Sequence, residues 1–146
     1  MDNFKQTRLH PDILKAITEM GFEIPTPIQA KTIPHLMASS HDLIATAQTG
    51  TGKTAAFGLP SIHLTDMKDR RTQTLILCPT RELCIQITKD FGNFSKYING
   101  MNILAVYGGS SIQTQIKSLK KGAQIVVGTP GRTKDLIKRK RLDISH

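Results

Sequence analysis

Acidic side chains are scarce in this chain: 11 Asp and Glu stand against 20 Lys and Arg, for a formal net charge of +9 over 146 residues. That deficit favours a polyanionic partner such as nucleic acid. Cysteine is scarcer still. Cys78 and Cys84 form no C-x-x-C pair, which excludes a disulfide framework or a thiolate zinc site and reads as two reduced thiols. His10, His35, His41, His63 and His146 show no ligand spacing, so no metal role falls to histidine. No apolar run approaches the ~20 residues that span a bilayer. The N-terminus lacks the charged-then-apolar layout of a secretory leader. The expectation is a cytoplasmic protein. There is no internal repeat, low-complexity tract or linker, so residues 1–146 are expected to make one domain.

What is present centres on Ala45-Thr-Ala-Gln-Thr-Gly-Thr-Gly-Lys-Thr54. A short apolar run, Leu43-Ile-Ala-Thr, precedes it and suits a buried strand, and a helix-forming run follows from Ala55. The glycines at 50 and 52 let the backbone curl so that its N–H groups converge on phosphate oxygens. A helix starting near Lys53 aims its positive end at the same point. Lys53 adds a mobile charge for the terminal phosphates, and the Thr54 hydroxyl can ligate Mg²⁺. Such loops usually begin with Gly. Here Ala47 holds that place and is small enough for the bend.

Taken in order, the chain alternates helix and strand signals. Pro11, the apolar stripe Ile13, Leu14 and Ile17, and Gly21 predict a helix over 10–20. Thr26 caps a second helix that begins at Pro27 and is expected to break at Pro34. Asp42–Thr46 is expected to be the strand feeding the phosphate loop. A helix over 53–68 follows, with a kink or break at Pro60. Thr74–Cys78 reads as a parallel strand buried on both faces, and Thr80 caps a helix to about Lys96. Asn102–Tyr107 and Gln124–Val127 are two more strands, with helices over 111–120 and from Thr129 onward. This pattern predicts an α/β fold with a mostly parallel sheet and helices on both faces. Ligands in such folds collect at the carboxyl ends of the strands. There the loops are the phosphate loop, Pro79–Glu82, Gly108–Ser110 and Thr129–Arg132.

Together these loops and the segment Gly21-Phe-Glu-Ile-Pro-Thr-Pro-Ile-Gln29 resemble the first RecA-like domain of a DEAD-box ATP-dependent RNA helicase. The matching motifs are that segment, Ala47-Gln-Thr-Gly-Thr-Gly-Lys-Thr54, Pro79-Thr-Arg-Glu-Leu83, Gly108-Gly109 and Thr129-Pro-Gly-Arg132. The resemblance implies a RecA-like (P-loop NTPase) fold, with ATP and Mg²⁺ as cofactors. In it Gln29 would read the adenine edge through its amide, which donates and accepts, with Thr26 beside it. Phe4 would stack on the base. Thr49, Gly50, Thr51, Gly52, Lys53 and Thr54 would hold the phosphates and metal. Lys53 and Thr54 are the residues nearest the chemistry. Pro79, Thr80, Arg81, Gly108, Gly109, Thr129, Pro130, Gly131 and Arg132 would hold one RNA strand by its backbone, making binding sequence-tolerant and salt-sensitive. Lys117, Lys120, Lys121 and the cluster 138–141 have no motif role and read as solvated faces that assist RNA electrostatically.

The chain departs from the family in three places. Cys84 stands where Ala is usual, and Thr133 and Lys134 stand where apolar residues are usual, so the last helix is expected to dock less firmly. The Asp-Glu-Ala-Asp motif, the Ser-Ala-Thr motif and the second RecA-like domain with its arginine finger do not occur in these residues. The sheet is therefore expected to be incomplete at its C-terminal end, with Leu43–Ala45 left as an unpaired apolar edge. The leading reading is the ATP- and RNA-binding front of an RNA helicase or RNA chaperone, binding without turnover by itself. The alternative is a truncated nucleic-acid-binding or interaction module without ATPase activity. A DNA-directed or non-helicase phosphate-loop ATPase is disfavoured by Phe22–Gln29 and Pro79–Leu83.

Overall fold

The structure is a computed structural model that describes residues 3–145, so Met1, Asp2 and His146 lie outside the described residues. The described residues fall into two compact units. The first runs from residue 3 to Leu64 and includes Asn93–Asn99, and the second comprises Thr65–Gly92 and residues 100–145. Nucleotide-loop residues lie in the first and the candidate RNA loops in the second.

The first unit is helical. A 3₁₀ turn, Phe4–Thr7, leads to α1 (Pro11–Glu19), α2 (Pro27–Ala38) and α3 (Lys53–His63). The stripe on α1 buries Ile13, Ala16 and Ile17. Its end is a Schellman turn: Phe22 N–H donates to Ile17 O at 2.9 Å and Gly21 N–H to Thr18 O at 3.0 Å, with Gly21 at φ +82°. Segment 93–99 is tied to α1 by Glu19, whose carboxylate accepts from Lys96 Nζ at 2.8 Å and Tyr97 OH at 2.5 Å. Those two hydrogen bonds hold the Glu19 carboxyl below its usual range.

Two prolines behave differently from expectation. α2 continues past Pro34 to Ala38, and α3 passes through Pro60 and stops at His63, short of 68. Each proline forfeits one backbone donor, but buried Ile33, Leu59 and Ile62 hold the helices in place. After Leu64 the chain is captured by Gln73, whose amide donates to Asp66 O and Asp69 O at 2.9 Å and accepts from Asp66 N. That turn competes with further helix.

The second unit holds β1 (Thr74–Leu77), α4 (Arg81–Phe94, its last two residues counted with the first unit), β2 (Ile103–Val106), α5 (Ile112–Lys120), β3 (Ile125–Gly128) and α6 (Pro130–Lys138). The strands are parallel in the order β1-β3-β2, with Thr74 and Ile103 both level with Ile125. Central β3 is buried throughout, as its Ile-Val-Val-Gly sequence requires. Val106, Val126, Leu136 and Leu142 form a core with Ile112, Ile116 and Leu119 of α5. Thr133 of α6 is buried over Gly128, where a methyl group would run into its hydroxyl.

Two strand expectations need correction. Asp42–Thr46 is no strand, and Ile44 is 95% exposed. Thr74–Leu77 is not buried on both faces: β1 is an edge strand and Leu77 is 57% exposed. Both follow from one cause. A ladder needs a partner strand, and among the described residues Asp42–Thr46 has none, while β1 has β3 on one side and nothing on the other. The sheet accordingly has three strands where four were expected.

Candidate nucleotide and nucleic-acid sites

In the first unit, Gly52 is the N-cap of α3 at φ +81° and Gly50 sits at φ +80°. A side chain is strained in that region, which explains glycine at both positions. The phosphate loop is pinned through its carbonyls. The Thr26 hydroxyl donates to Thr51 O at 2.8 Å, and Gln29 Nε2 donates to Gly52 O at 3.1 Å. Gln29 Oε1 accepts from Thr26 N at 2.9 Å, so this buried amide joins the start of α2 to the start of α3. A methyl group at Gly52 would land on the Gln29 amide. These two carbonyls bond to α2, and the N-terminus of α3 lies beside them.

Lys53 Nζ donates to Ala47 O at 2.6 Å, which closes the loop across its own width. The Thr49 side chain is exposed, and Thr51 donates through its hydroxyl to Gln48 O at 2.7 Å. Thr54, half-buried in the first turn of α3, has a hydroxyl with no hydrogen-bond partner among the described residues. Pro27, Ile28, Lys31, Thr46, Ala47 and Thr51 line an open pocket of about 230 Å³. Phe4 is set apart from this group. It is 5% exposed and its ring lies 5.8 Å from that of Phe22, which in turn meets Phe94 edge-on at 6.1 Å.

In the second unit the three loops leave the carboxyl ends of β1, β3 and β2 together. Backbone bonding continues past the strands, from Cys78 N to Gly128 O and from Thr129 N to Val106 O, both 3.0 Å. Thr80 Oγ1 caps α4 by accepting from Leu83 N at 3.2 Å, leaving Pro79, Thr80 and Arg81 exposed. The Arg81 guanidinium stands 5.0 Å from the centre of the Tyr107 ring and close beside Gly109, which is at φ +79°. Thr129 occupies the N-cap position of α6 without a side-chain capping bond, with Pro130 as the first helical residue and Gly131 exposed. Arg132 donates from Nη1 to Ser110 O at 3.1 Å and to Gln115 Oε1 at 2.9 Å. Gln115 is buried and donates from Nε2 to Tyr107 O at 3.1 Å.

Gln115 and Tyr107 carry no expected role, yet they hold Arg132, Arg81 and the Gly108–Ser110 turn in one arrangement. A signal for Gln115 exists in the sequence. It lies at core spacing among Ile112, Ile116 and Leu119 on α5, where a polar residue requires a partner. Cys78 and Cys84 flank the 79–81 loop, but both are buried. Burial pushes both thiols up, Cys84 to about 12, so neither is an available nucleophile.

Residues 26–146 match the model of the DEAD/DEAH box helicase family. The chain belongs to that family. Among curated DEAD-box relatives it is 54% identical over 146 residues to the ATP-dependent RNA helicase CshA of Listeria monocytogenes, covering 100% of this chain and 28% of that protein. It is 49% identical over 142 residues to the ATP-dependent RNA helicase DeaD of Mycobacterium tuberculosis, covering 97% of this chain and 25% of that one. The chain thus spans about a quarter of the length of these relatives. A DEAD-box protein from Methanococcus jannaschii has a similar structure, with a TM-score of 0.91 and 44% identity over 97% of this chain and 38% of that one. Dbp5 of S. cerevisiae, solved bound to RNA and ADP BeF3, gives 0.88 and 33% over 98% and 36%. The RecA-like DEAD-box fold is thereby shown for this chain.

Proposed function

We propose that this chain is the ATP- and RNA-binding N-terminal portion of an ATP-dependent RNA helicase, acting in the cytoplasm. The observation that carries the reading is the Gln29 amide, buried and bonded at once to the start of α2 and to the Gly52 carbonyl of the phosphate loop. It makes the base-reading residue and the phosphate loop one rigid piece. Family membership and the named activities of the relatives support it.

The donor set fits a nucleotide with its cation. Two left-handed glycines, a helix N-terminus, an exposed ammonium and a half-buried, unpartnered hydroxyl occur within residues 50–54. Lys53 would trade its bond to Ala47 O for phosphate oxygens, and Thr54 would supply one oxygen to Mg²⁺. When bound, Mg²⁺ neutralises phosphate charge. The residues of this chain bind and orient, and turnover is not assigned to them. In the second unit, Arg81, Arg132 and the backbone of the Gly108 and Thr129 loops would hold RNA phosphates with no base code.

The test is nucleotide selectivity, measured with fluorescent ATP and GTP analogues on the wild-type chain and on Gln29→Glu. That variant keeps the acceptor for Thr26 N and loses the donor. ATP is expected to bind at least about tenfold more tightly than GTP, corresponding to about 1.4 kcal/mol. The preference should shrink in Gln29→Glu. Equal affinity of the wild type for both nucleotides would overturn adenine reading.

A further inference from the structure

The opposite end of the sheet in the second unit carries a basic cleft for which the loop motifs have no use. Arg70 precedes β1, Asn102 precedes β2, and Lys120, Lys121, Gly122 and Gln124 precede β3. They line one open cleft of about 550 Å³. Its floor is rigid. Asn102 donates to Gly122 O through its amide and to Gln124 Oε1 through its backbone N–H at 2.9 Å, and Gln124 Nε2 donates to Gly100 O at 3.3 Å.

Gly122 explains why Arg70 is there. A Cβ at 122 would come within 2.9 Å of Arg70 O, so glycine at φ +93° lets the 69–71 turn close against the α5–β3 turn. Asp69, the acid next to Arg70 in the sequence, is bonded to Arg71, with Nε and Nη2 of the guanidinium 2.6–3.0 Å from its carboxylate. Arg70, Lys120 and Lys121 are exposed and have no ion-pair or side-chain hydrogen-bond partner among the described residues. Among the described residues, no acidic side chain lines the cleft. A solvated helix end would account for Lys120 and Lys121 at the C-terminus of α5. It does not account for Arg70, which belongs to no helix and is brought in by a glycine-dependent packing.

We propose that this cleft is a second, sequence-tolerant phosphate-binding surface, which takes the backbone of RNA flanking the strand held at the carboxyl ends of the sheet. The proposal rests on the RNA-binding reading of those loops. The two surfaces are separated by the length of the strands, four residues or about 13 Å. A short oligonucleotide would therefore occupy the loops alone, and a long one both. Charge complementarity favours a polyphosphate: the cations here are clustered, unpaired and set over amides that cannot neutralise them.

The test is fluorescence anisotropy of the 146-residue chain with single-stranded RNA of about 6 and about 30 nucleotides across a salt series. The variant carries Arg70→Glu, Lys120→Glu and Lys121→Glu together, with a Gln set at the same positions as the milder case. All three sites are exposed, and circular dichroism checks the fold. Long-RNA affinity is expected to fall about tenfold or more. The slope of log K against log salt is expected to drop by about 2, since each phosphate neutralised on a single strand contributes about 0.7. Short-RNA affinity should hold. An unchanged long-RNA slope would overturn the proposal. Polyglutamate binding as tightly as the long RNA, with the same weakening in the variant, would overturn it in favour of an acidic protein partner. Arg132→Ala weakens the short RNA under the loop reading, so a failure of that reading appears there and not in the triple variant.

Discussion

Thr133→Val should stabilise the chain. Thr133 is 3% exposed, and its hydroxyl lies against Gly128 with no hydrogen-bond partner among the described residues. Burying a hydroxyl without a partner costs about 1–3 kcal/mol in proteins. Valine places a methyl in the same volume and removes that cost. Both side chains are β-branched, so helix propensity nearly cancels. The expected gain is about 1–2 kcal/mol, or about 3–6 °C in melting temperature for a chain of this length. Far-UV circular dichroism melts and urea titrations measure it. Thr133→Ala separates the two contributions. It removes the hydroxyl and also a buried methyl, leaving a gap over β3, so it should gain less than valine or lose stability. RNA affinity should be unchanged in Thr133→Val. A melting temperature equal to or below wild type would refute the reasoning, because it would mean that the hydroxyl has a partner.

Gln115→Leu should weaken RNA binding about tenfold while leaving ATP affinity alone, since freeing Arg132 restores about 1.5–2 kcal/mol of side-chain entropy to be lost again on binding. Gln115→Glu, which keeps an acceptor for Arg132, should recover much of that in an anisotropy titration. Gly52→Ala should cost more stability than Gly50→Ala, because both are at positive φ but only Gly52 would meet the Gln29 amide. Urea midpoints of the two variants decide this. Ile44→Lys should reduce aggregation, read by light scattering, with stability unchanged within about 0.5 kcal/mol, since the side chain is almost fully exposed. The Cys84 thiol is raised to about 12 by burial, so the folded state holds its proton more tightly than the unfolded one. Its contribution to stability is complete below pH about 9 and declines as pH rises toward 12. Iodoacetamide should label it far more slowly in the folded chain than in urea.

Sequence periodicity was enough for most elements because each is closed by local chemistry. Gly21 ends α1, Thr26 and Pro27 start α2, Ser111 starts α5, and the Ile-Val-Val run of β3 is central. The failures are non-local. Leu43–Thr46 reads as a strand by composition, but a strand is made by its neighbours, and composition cannot supply them. Pro34 reads as a break and Pro60 as a kink or break, but the packing of Ile33 and Leu59 outweighs one missing backbone donor each, and both helices run on. At the candidate sites, the glycines, caps and arginines at fixed offsets state their own conformational requirements, and the structure places the three RNA-loop segments at one end of the sheet. Phe4 was legible as an aromatic at the right separation, but whether its ring faces a base or Phe22 depends on contacts no spacing encodes. Gln115 went unread for a similar reason: the chemistry it serves is eight residues away at Tyr107 and seventeen away at Arg132.

The strand order β1-β3-β2 has a metric consequence. The loops at Pro79, Thr129 and Gly108 leave strands spaced about 4.8 Å apart, and the backbone bonds at Cys78 and Thr129 carry that spacing beyond the sheet. A polymer laid across them would meet the loops in the order 79, 129, 108, which is not their order in the chain. The step of this ruler is the repeat of a β-sheet, a length fixed by peptide geometry and indifferent to side chains. Under the proposed RNA-binding reading, contacts set at this step would follow the backbone and not the letters between its phosphates.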